Sequence, residues 1–374
     1  MKKENKLKEL ARIFLKLGIT AFGGPAAHIA MMRQEVVTKR QWMTEQHFLD
    51  MMGATNLIPG PNSTEMAIHI GQDRAGWKGL IVAGLCFICP AVLITLFFAW
   101  LYKEYGQLPE VQPFIYGIKP AIISVILAAI YPLGKKSLKT LKLWFIGISV
   151  LILSLLGINE IFLLFGAGLL AVLLYLINKR SEVHSFIPVV LLQIPDSGFL
   201  SSKNFHLFLI FLKIGAILYG SGYVLFAFLD AELVSTGLLT RQQLIDAIAV
   251  GQFTPGPVFS SVTFIGFQIN GFAGAVFSTI AIFLPSFVFV AILHPLMKQV
   301  RNSKILSTFL DAVNVASVAI IVAVCYEMAK DSIADWRTAV IAIASLIFVF
   351  RFTKVNSAFV VLGGALLGFL LFII

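Results

Sequence analysis

An apolar stretch early in the chain is interrupted by PGPNSTE at residues 59–65, and a second Pro-Gly-Pro follows at residues 255–257. Proline removes a backbone donor and glycine permits positive φ, so each motif is expected to break a helix. Inside a bilayer, unwound backbone is tolerated only beside protein or water. The two motifs therefore predict broken helices whose free backbone groups face the interior of a membrane protein.

The two motifs belong to a repeat that covers nearly the whole chain. FLKLG at residues 14–18 returns as FLKIG at residues 211–215, and the order of the later motifs is the same in both halves. Self-similarity of this kind indicates homologous structural units. The predicted units are an N-terminal repeat over residues 1–178, a connector over residues 179–203 and a C-terminal repeat over residues 204–374.

The composition predicts an all-α polytopic membrane protein. Of 374 residues, 58% are hydrophobic and 13% are charged, whereas soluble domains carry about 25% charged residues. That difference excludes a soluble enzyme and a nucleic-acid-binding module, whose surfaces need charge. Segments that approach the ~20 apolar residues of a membrane-spanning helix lie at residues 79–100, 113–133, 143–156 and 161–177.

The distribution of positive charge predicts that the two halves cross the membrane in opposite directions. Four lysines lie at residues 135–142, whereas the equivalent loop at residues 330–337 also carries acids. Lys and Arg collect in cytoplasmic loops, so the net charge of +10 reflects topology rather than a polyanionic partner. We expect a multi-pass membrane protein with a cytoplasmic N-terminus.

Inverted repeats with helices broken by Gly and Pro are typical of secondary transporters, whose site lies where the broken helices meet near the membrane midplane. Each repeat has a second break, FGGP at residues 22–25 and YGSGY at residues 219–223. Free amides at such turns, with the positive end of the following helix, favour an anion. Nearby hydroxyls add donors without adding charge.

Two lysines in apolar surroundings, Lys16 and Lys213, occupy equivalent positions of the repeats. A charged side chain inside the membrane needs a partner. In one hypothesis both lysines converge on a dianion. In the other, each lysine reaches the membrane surface or pairs with an acid of its own repeat, such as Glu35 or Glu232, and both hypotheses stay open.

Three titratable residues follow the first-half breaks, and the second half has no equivalents for them: His28, Glu65 and His69. Histidine titrates near neutral pH, so either His28 or His69 could carry a coupling proton. Glu65, next to the break, could be a proton carrier that competes with the anion. The alternatives are a hydrogen-bonded helix contact for each histidine and an acid stabilised by the helix N-terminus for Glu65.

The predicted substrate-binding residues are the breaks, their hydroxyls and the two lysines: Lys16, Gly23, Gly24, Pro25, Gly60, Asn62, Ser63, Thr64, Lys213, Gly220, Ser221, Gly222, Gly256, Ser260 and Ser261. We expect no metal, because the C-x-x-C pair Cys86 and Cys89 lies in an apolar run without further ligands. No cofactor is expected either.

Four motifs resemble those of a known family: F-G-G-P-x-A-H-I at residues 22–29, P-G-P-N-S-T-E-M-A at 59–67, A-G-W-x-G at 75–79 and the second P-G-P. Together they are similar to the chromate transporter family. The resemblance implies two fused antiparallel halves that export chromate from the bacterial cytoplasm and confer chromate resistance. The second half departs from the pattern, with Gly-Ser-Gly where the first has Gly-Gly-Pro.

Two alternative functions stay open. One is a sulfate or general oxyanion carrier, because sulfate has the same charge and tetrahedral shape as chromate. A membrane-embedded lipid-phosphate phosphatase or transferase would need a hydrolytic group, for which Ser63, Glu65 and His69 are the candidates. We predict a transporter rather than an enzyme. The expected partners are the oxyanion, the lipid bilayer and, in a homodimer, a second copy of the chain; no nucleic acid is expected.

Overall fold

The computed structural model describes residues 3–22, 24–106, 108–178, 203–219, 222–300, 303–352 and 355–373. These residues form an all-α fold, and none of them lies in a β-strand. The all-helical prediction is therefore confirmed. The predicted connector, apart from Lys203, lies outside the described residues.

Each half contributes seven described α-helices in the same order. Those of the first half are α1 (Lys3–Thr20), α2 (Gly24–Arg33), α3 (Glu45–Thr55), α4 (Asn62–Tyr105), α5 (Gln112–Ser137), α6 (Leu141–Leu155) and α7 (Glu160–Asn178). Those of the second half are α8 (Lys203–Ile217), α9 (Val224–Leu229), α10 (Arg241–Phe253), α11 (Ser261–Val300), α12 (Lys304–Ser332), α13 (Trp336–Arg351) and α14 (Ser357–Ile373). Each helix of the first half thus has a counterpart in the second half, from α1 with α8 to α7 with α14.

Local signals that start the helices also repeat. Thr44 caps α3 by accepting from the amide of His47, and Thr240 caps α10 by accepting from the amide of Gln243. The side chain of Gln243 returns a bond to the cap, which completes a capping box. A π-helical turn follows both α2 and α9, over Gln34–Lys39 and Asp230–Val234. The two sequences therefore encode the same local architecture.

Within the described residues, five helical segments are long and apolar enough to cross a membrane: Asn62–Tyr105, Gln112–Ser137, Glu160–Ile177, Val258–Pro295 and Lys304–Ser332. Three of the predicted spans fall inside these segments, and the fourth corresponds to the shorter apolar helix α6. The chain is a multi-pass membrane protein.

Helices α4 and α11 are each folded into a hairpin. The turn in α4 has φ 64° and ψ −152° at Gly76, and the turn in α11 has φ 59° and ψ −151° at Gly271. Beside the α4 turn the backbones of the two arms lie so close together that a methyl group at Gly79 would overlap the carbonyl of Gly71. Glycines at these positions therefore let two antiparallel arms pack backbone to backbone, and Gly266 and Gly274 repeat the arrangement in α11.

Contacts between the hairpins show that the repeats are inverted. The second arm of α4 runs alongside the first arm of α11 in the same direction, since Thr95 bonds Ser260 at 3.2 Å and, further along both arms, Tyr102 packs on Phe264. Because the two arms of each hairpin are antiparallel, the first arms of α4 and α11 point in opposite directions. The two turns lie at opposite ends of the molecule, as the loop charges predict.

The remaining helices exchange partners between the repeats. Helix α1 packs on α4, and its counterpart α8 packs on α11. Helix α5 instead packs on α13 and α14 of the other half, while α12 packs on α6 and α7. The two hairpins, which also pack on each other, form one group with α1 and α8. The helices that pack across the repeats form a second group, which includes α5 and α12.

Single cysteines at exposed positions near the equivalent ends of α5 and α12 should be labelled from opposite faces of the membrane. The chosen variants are Lys136→Cys in the last turn of α5 and Ala334→Cys just after α12, in a background with Cys86, Cys89 and Cys325 replaced. Inversion places these two helix ends on different faces. A membrane-impermeant maleimide added to intact cells should label Ala334→Cys and spare Lys136→Cys. Labelling of both from the same side would contradict inverted insertion.

Candidate functional site

The Pro-Gly-Pro breaks of both repeats meet in the core. The amide of Gly60 donates to the carbonyl of Leu218 at 2.8 Å, and the amide of Gly256 donates to the carbonyl of Ala21 at 2.9 Å. Ala21 and Leu218 lie just beyond the ends of α1 and α8. Each break is thus bonded to the first helix of the other repeat, in the reciprocal manner of a two-fold interface.

Both central glycines have backbone angles that other residues avoid, with φ 133° at Gly60 and 90° at Gly256. A methyl group at Gly60 would overlap the carboxyl of Glu65 and lie 2.7 Å from Oγ of Ser286. At Gly256 the same methyl would lie 3.0 Å from Cβ of Ala91. Because Ala91 is the repeat counterpart of Ser286, the first break faces polar groups where the second faces a methyl.

His28 connects the two breaks. Its Nδ1 lies 3.2 Å from Oγ of Ser63 at the start of α4, and its Nε2 lies 3.0 Å from the carbonyl of Ala21. Since a carbonyl can only accept, Nε2 carries the proton and the Ser63 hydroxyl donates to Nδ1. The same carbonyl also accepts from Gly256. His28 is therefore a buried structural link, which is the helix-contact alternative.

Several buried polar atoms near the breaks have no hydrogen-bond partner among the described residues. They are Oγ1 of Thr64, both carboxyl oxygens of Glu65, Oγ of Ser261 and Oγ of Ser286. Buried polar groups are normally hydrogen-bonded, because leaving one unpaired costs about 1–3 kcal/mol. This set of polar groups around Gly60 and at the start of α11, three hydroxyls and one carboxyl, is consequently a candidate ligand site.

Other predicted site residues have partners of their own. Asn62 donates to Asn56 at 2.8 Å, and Ser260 accepts from Thr95. Gly24, with φ 79°, and Pro25 begin α2, and Gly222 lies in the turn before α9. Three predicted residues lie outside the described ranges: Gly23, Gly220 and Ser221.

Each predicted lysine is paired within its own repeat. Nζ of Lys213 lies 2.6 Å from Oε1 of Glu232, and Nζ of Lys16 lies 3.8 Å from Oε1 of Glu35. The Lys16 side chain is 65% exposed and that of Lys213 is 38% exposed. The structure thus has the pairing that the second lysine hypothesis expects, with each ammonium group beside an acid of its own repeat.

Glu35 has further basic neighbours on the same π-helical turn and just after it. Lys39 donates to Oε1 at 2.9 Å, and Arg40 pairs with Oε2. Burial alone would raise the pKa of the Glu35 carboxyl, but the bonds from Lys39 and Arg40 hold that pKa below its ordinary value. Glu35 therefore stays ionised and shares its charge among several cations.

The sequence analysis missed a buried polar cluster and two polar residues of α11. Tyr102 donates to Asp246 at 2.7 Å, and the charge of Lys119 acts on the same carboxyl. Lys119 interrupts the apolar run at residues 113–133, which is a signal that the sequence offered. Ser286 and His294 similarly interrupt the apolar second arm of α11. Their role became visible only with the packing of that arm against Gly60 and His69.

A polar cleft leads from the end of α3 towards the first break. It has a volume of about 220 Å³, which several water molecules would fill. Asn56 lies on its wall and holds Asn62, the first residue of α4. Asp311 on the opposite wall is neutralised by Lys139 at 2.9 Å. The cleft is thus polar without a strong net charge.

The fold and the site together define a membrane carrier of the inverted-repeat class, with broken helices that meet around unpartnered buried donors. The family model described as chromate transporter matches residues 8–172 and again residues 205–369. The chain belongs to the chromate transporter family.

Curated relatives cover nearly all of the chain. The chromate transport protein of Cupriavidus metallidurans is 31% identical over 97% of this chain and 92% of its own length. A probable chromate transport protein of Synechococcus elongatus is 32% identical over 93% of this chain and 91% of its own length. An uncharacterized transporter of Methanocaldococcus jannaschii is 28% identical over 96% and 92%. No solved structure matches the chain significantly.

Proposed function

We propose that the protein exports chromate from the bacterial cytoplasm by alternating access to a site between the two Pro-Gly-Pro breaks, and that it thereby confers chromate resistance. The observation that carries this proposal is the reciprocal bonding of Gly60 to Leu218 and of Gly256 to Ala21. It holds the broken segments of both inverted repeats at one centre. Relatives named as chromate transport proteins supply the substrate class.

The anion would be held by neutral donors. The first arms of α4 and α11 start at this centre from opposite directions, so both present the positive end of a helix. The unpartnered hydroxyls of Thr64, Ser261 and Ser286 lie on or beside these arms. A tetrahedral dianion offers four oxygens to such a set of donors. Lys16 and Lys213 would then act on the site through the packing of α1 and α8 rather than by contact.

The membrane potential would favour export. Moving a dianion out of a negative interior gains about 4.6 kcal/mol per 100 mV, twice the value for one charge. The chain has no G-x-x-x-x-G-K-[ST] nucleotide-binding motif. We therefore propose a secondary transporter of the plasma membrane with a cytoplasmic N-terminus. Each chain contains both breaks, so a homodimer would carry one site per chain.

The enzymatic alternative gains no support from the geometry. Ser63 is hydrogen-bonded to His28, while the carboxyl of Glu65 faces Gly60 and both ring nitrogens of His69 have no partner among the described residues. A hydrolytic group would need its nucleophile and base within hydrogen-bond reach. A sulfate carrier remains the second candidate, because amides and hydroxyls recognise charge and shape that sulfate shares with chromate.

Cells that express the protein should accumulate less chromate than cells with an empty vector. The physical reason is outward movement of the dianion along the membrane potential. Uptake of radiolabelled chromate, with membrane expression verified, measures this directly. Unchanged accumulation would refute the export proposal. A tenfold excess of sulfate added together with chromate outside inverted vesicles, whose outer surface is the cytoplasmic face, would test the second candidate, since a general oxyanion carrier should lose most of its chromate flux.

A further inference from the structure

A line of titratable side chains runs along the first arm of α4, starting at the central break. Glu65, His69 and Asp73 are spaced four residues apart and therefore share one face of the arm. Glu65 and His69 are completely buried. No hydrogen bond of good geometry reaches either carboxyl oxygen of Glu65 or either ring nitrogen of His69 among the described residues, although the Ser286 hydroxyl lies close enough to act on the Glu65 carboxyl. Buried groups of this kind are rare unless a ligand or water serves them.

The line continues onto other helices and reaches the surface. The ring of His294, from the second arm of α11, lies with its centroid 5.7 Å from that of His69. The charges of Asp73 and His47 act on His294 in turn. Asp73 is bonded to His47 of α3 at 3.1 Å, and these two side chains are 31% and 40% exposed. Because neither ring nitrogen of His69 is bonded to Glu65 or to His294, water molecules on both sides of His69 would complete the connection.

Few other titratable groups face this line from the elements packed against it. Tyr219, just after α8, interacts with the charge of Glu65. The second arm of α4 contributes Leu80 and Gly84 beside Ile68, which are apolar. Arg74, next to Asp73, is engaged by Glu9 and by the ring of Trp42. The carboxyl and the imidazoles are thus the groups along the line that can accept a proton and pass it on.

The titratable groups on the first arm of α4 have no counterparts on the first arm of α11. The first arm of α11, at residues 261–269, contains no carboxyl and no imidazole. The backbone architecture of the two hairpins is nevertheless the same, down to the glycine pairs at their turns. The fold therefore does not require these groups, and they call for a functional explanation.

We propose that Glu65 binds a proton together with the transported anion, and that His69 and His294 carry this proton between Glu65 and the His47–Asp73 pair at the surface. The proposal rests on the transport function proposed above. An ionised Glu65 beside Gly60 would repel a dianion at the break, and protonation removes that repulsion. By thermodynamic reciprocity, a site that binds the anion more tightly when protonated also takes up a proton when the anion binds.

The proton transfers balance without a further reactant. A proton enters from solvent at the His47–Asp73 pair, moves to His294 and then to His69, and bonds to a carboxylate oxygen of Glu65. Each imidazole receives a proton on one nitrogen and gives one up, so it ends neutral. Proton and anion occupy the same state of the carrier and therefore move in the same direction, so each cycle carries one net negative charge outward, half of what the dianion alone would carry, and the membrane potential still favours export.

Proton uptake on anion binding tests the role of Glu65. Chromate is added to the purified protein in weakly buffered detergent at alkaline pH, where chromate itself stays dianionic, and a pH indicator records the protons taken up. We expect about one proton per bound anion and a Kd that rises up to about tenfold per pH unit. Glu65→Gln should bind chromate without proton uptake and with a pH-independent Kd. Wild-type binding without proton uptake would overturn the proposal, even if the variant does not fold.

The relay is tested in proteoliposomes that contain a pH-sensitive dye. His294→Gln should slow chromate-coupled proton movement by about a hundredfold, a typical loss for a missing proton-transfer group, with the Kd for chromate unchanged. The matched control is His206→Gln, which removes an exposed histidine of α8 and should transport like the wild type. Equal proton rates in both variants would overturn the relay. A wild type that neither binds nor transports chromate would instead refute the proposed function.

Discussion

Replacing Gly60 with alanine is expected to abolish chromate transport and to destabilise the protein. Gly60 has φ 133°, which costs an alanine about 1–3 kcal/mol. The added methyl also overlaps the carboxyl of Glu65 and approaches Oγ of Ser286 to 2.7 Å. Because both neighbours are buried, they have little room to move. The amide of Gly60 would then lose its alignment with Leu218, and the two repeats would lose half of their reciprocal contact.

Gly157→Ala is the matched control for Gly60→Ala. Gly157 also has positive φ, at 84°, but nothing lies within 4 Å of an added methyl. It lies in the loop between α6 and α7, remote in sequence from both breaks. We expect a lower melting temperature for both variants and a loss of transport only for Gly60→Ala. Chromate flux in proteoliposomes, normalised to folded protein, separates the two effects. Equal flux in both variants would mean that close packing at Gly60 is unimportant for transport.

The repeat, its inversion and the places where helices break could all be predicted from the sequence, because each has a local cause. Glycine and proline interrupt helices through their own backbone chemistry, as at residues 59–61. Lysines at residues 135–142 report topology through the cost of crossing the membrane. The helical hairpins were not anticipated, although Gly71 and Gly79 stand at matching distances from the turn. The sequence indicates each hairpin only through a pair of glycines, and the role of that pair in close backbone contact is clear only when the two arms are seen side by side.

The site was only partly predictable, because its remaining members come from segments that are distant in sequence. Ser286 and His294 face Gly60 and His69 across two hairpins, and no local pattern connects them. The lysines illustrate the opposite case. Their apolar surroundings left two hypotheses open, and the choice depended on whether the π-helical turns would return Glu35 and Glu232 to α1 and α8.

The two lysine substitutions are expected to differ in their effect on stability. Lys213→Met leaves the 15% exposed carboxylate of Glu232 without its ammonium partner, at a cost of about 1–3 kcal/mol. Lys16→Met should cost about 0–1 kcal/mol, because Lys16 is exposed and Glu35 keeps Lys39 and Arg40. Thermal unfolding in detergent measures both changes. Equal losses would contradict the difference in pairing.

Double substitutions then decide what the lysines do for transport. If Lys213 serves only Glu232, Lys213→Met with Glu232→Gln should recover most of the stability and of the chromate flux that Lys213→Met loses, because no buried charge is left unpaired. The matched pair in the first repeat is Lys16→Met with Glu35→Gln. This pair should recover less stability and less flux, because Glu35→Gln leaves Arg40 and Lys39 without their acidic partner. The Kd for chromate should stay within about twofold of the wild type in both single variants, since amides and hydroxyls make the contacts in the proposed site. A Kd weakened tenfold or more in both would return the lysines to the binding site, because removing one of two charges leaves a dianion under-compensated in a medium of low dielectric constant.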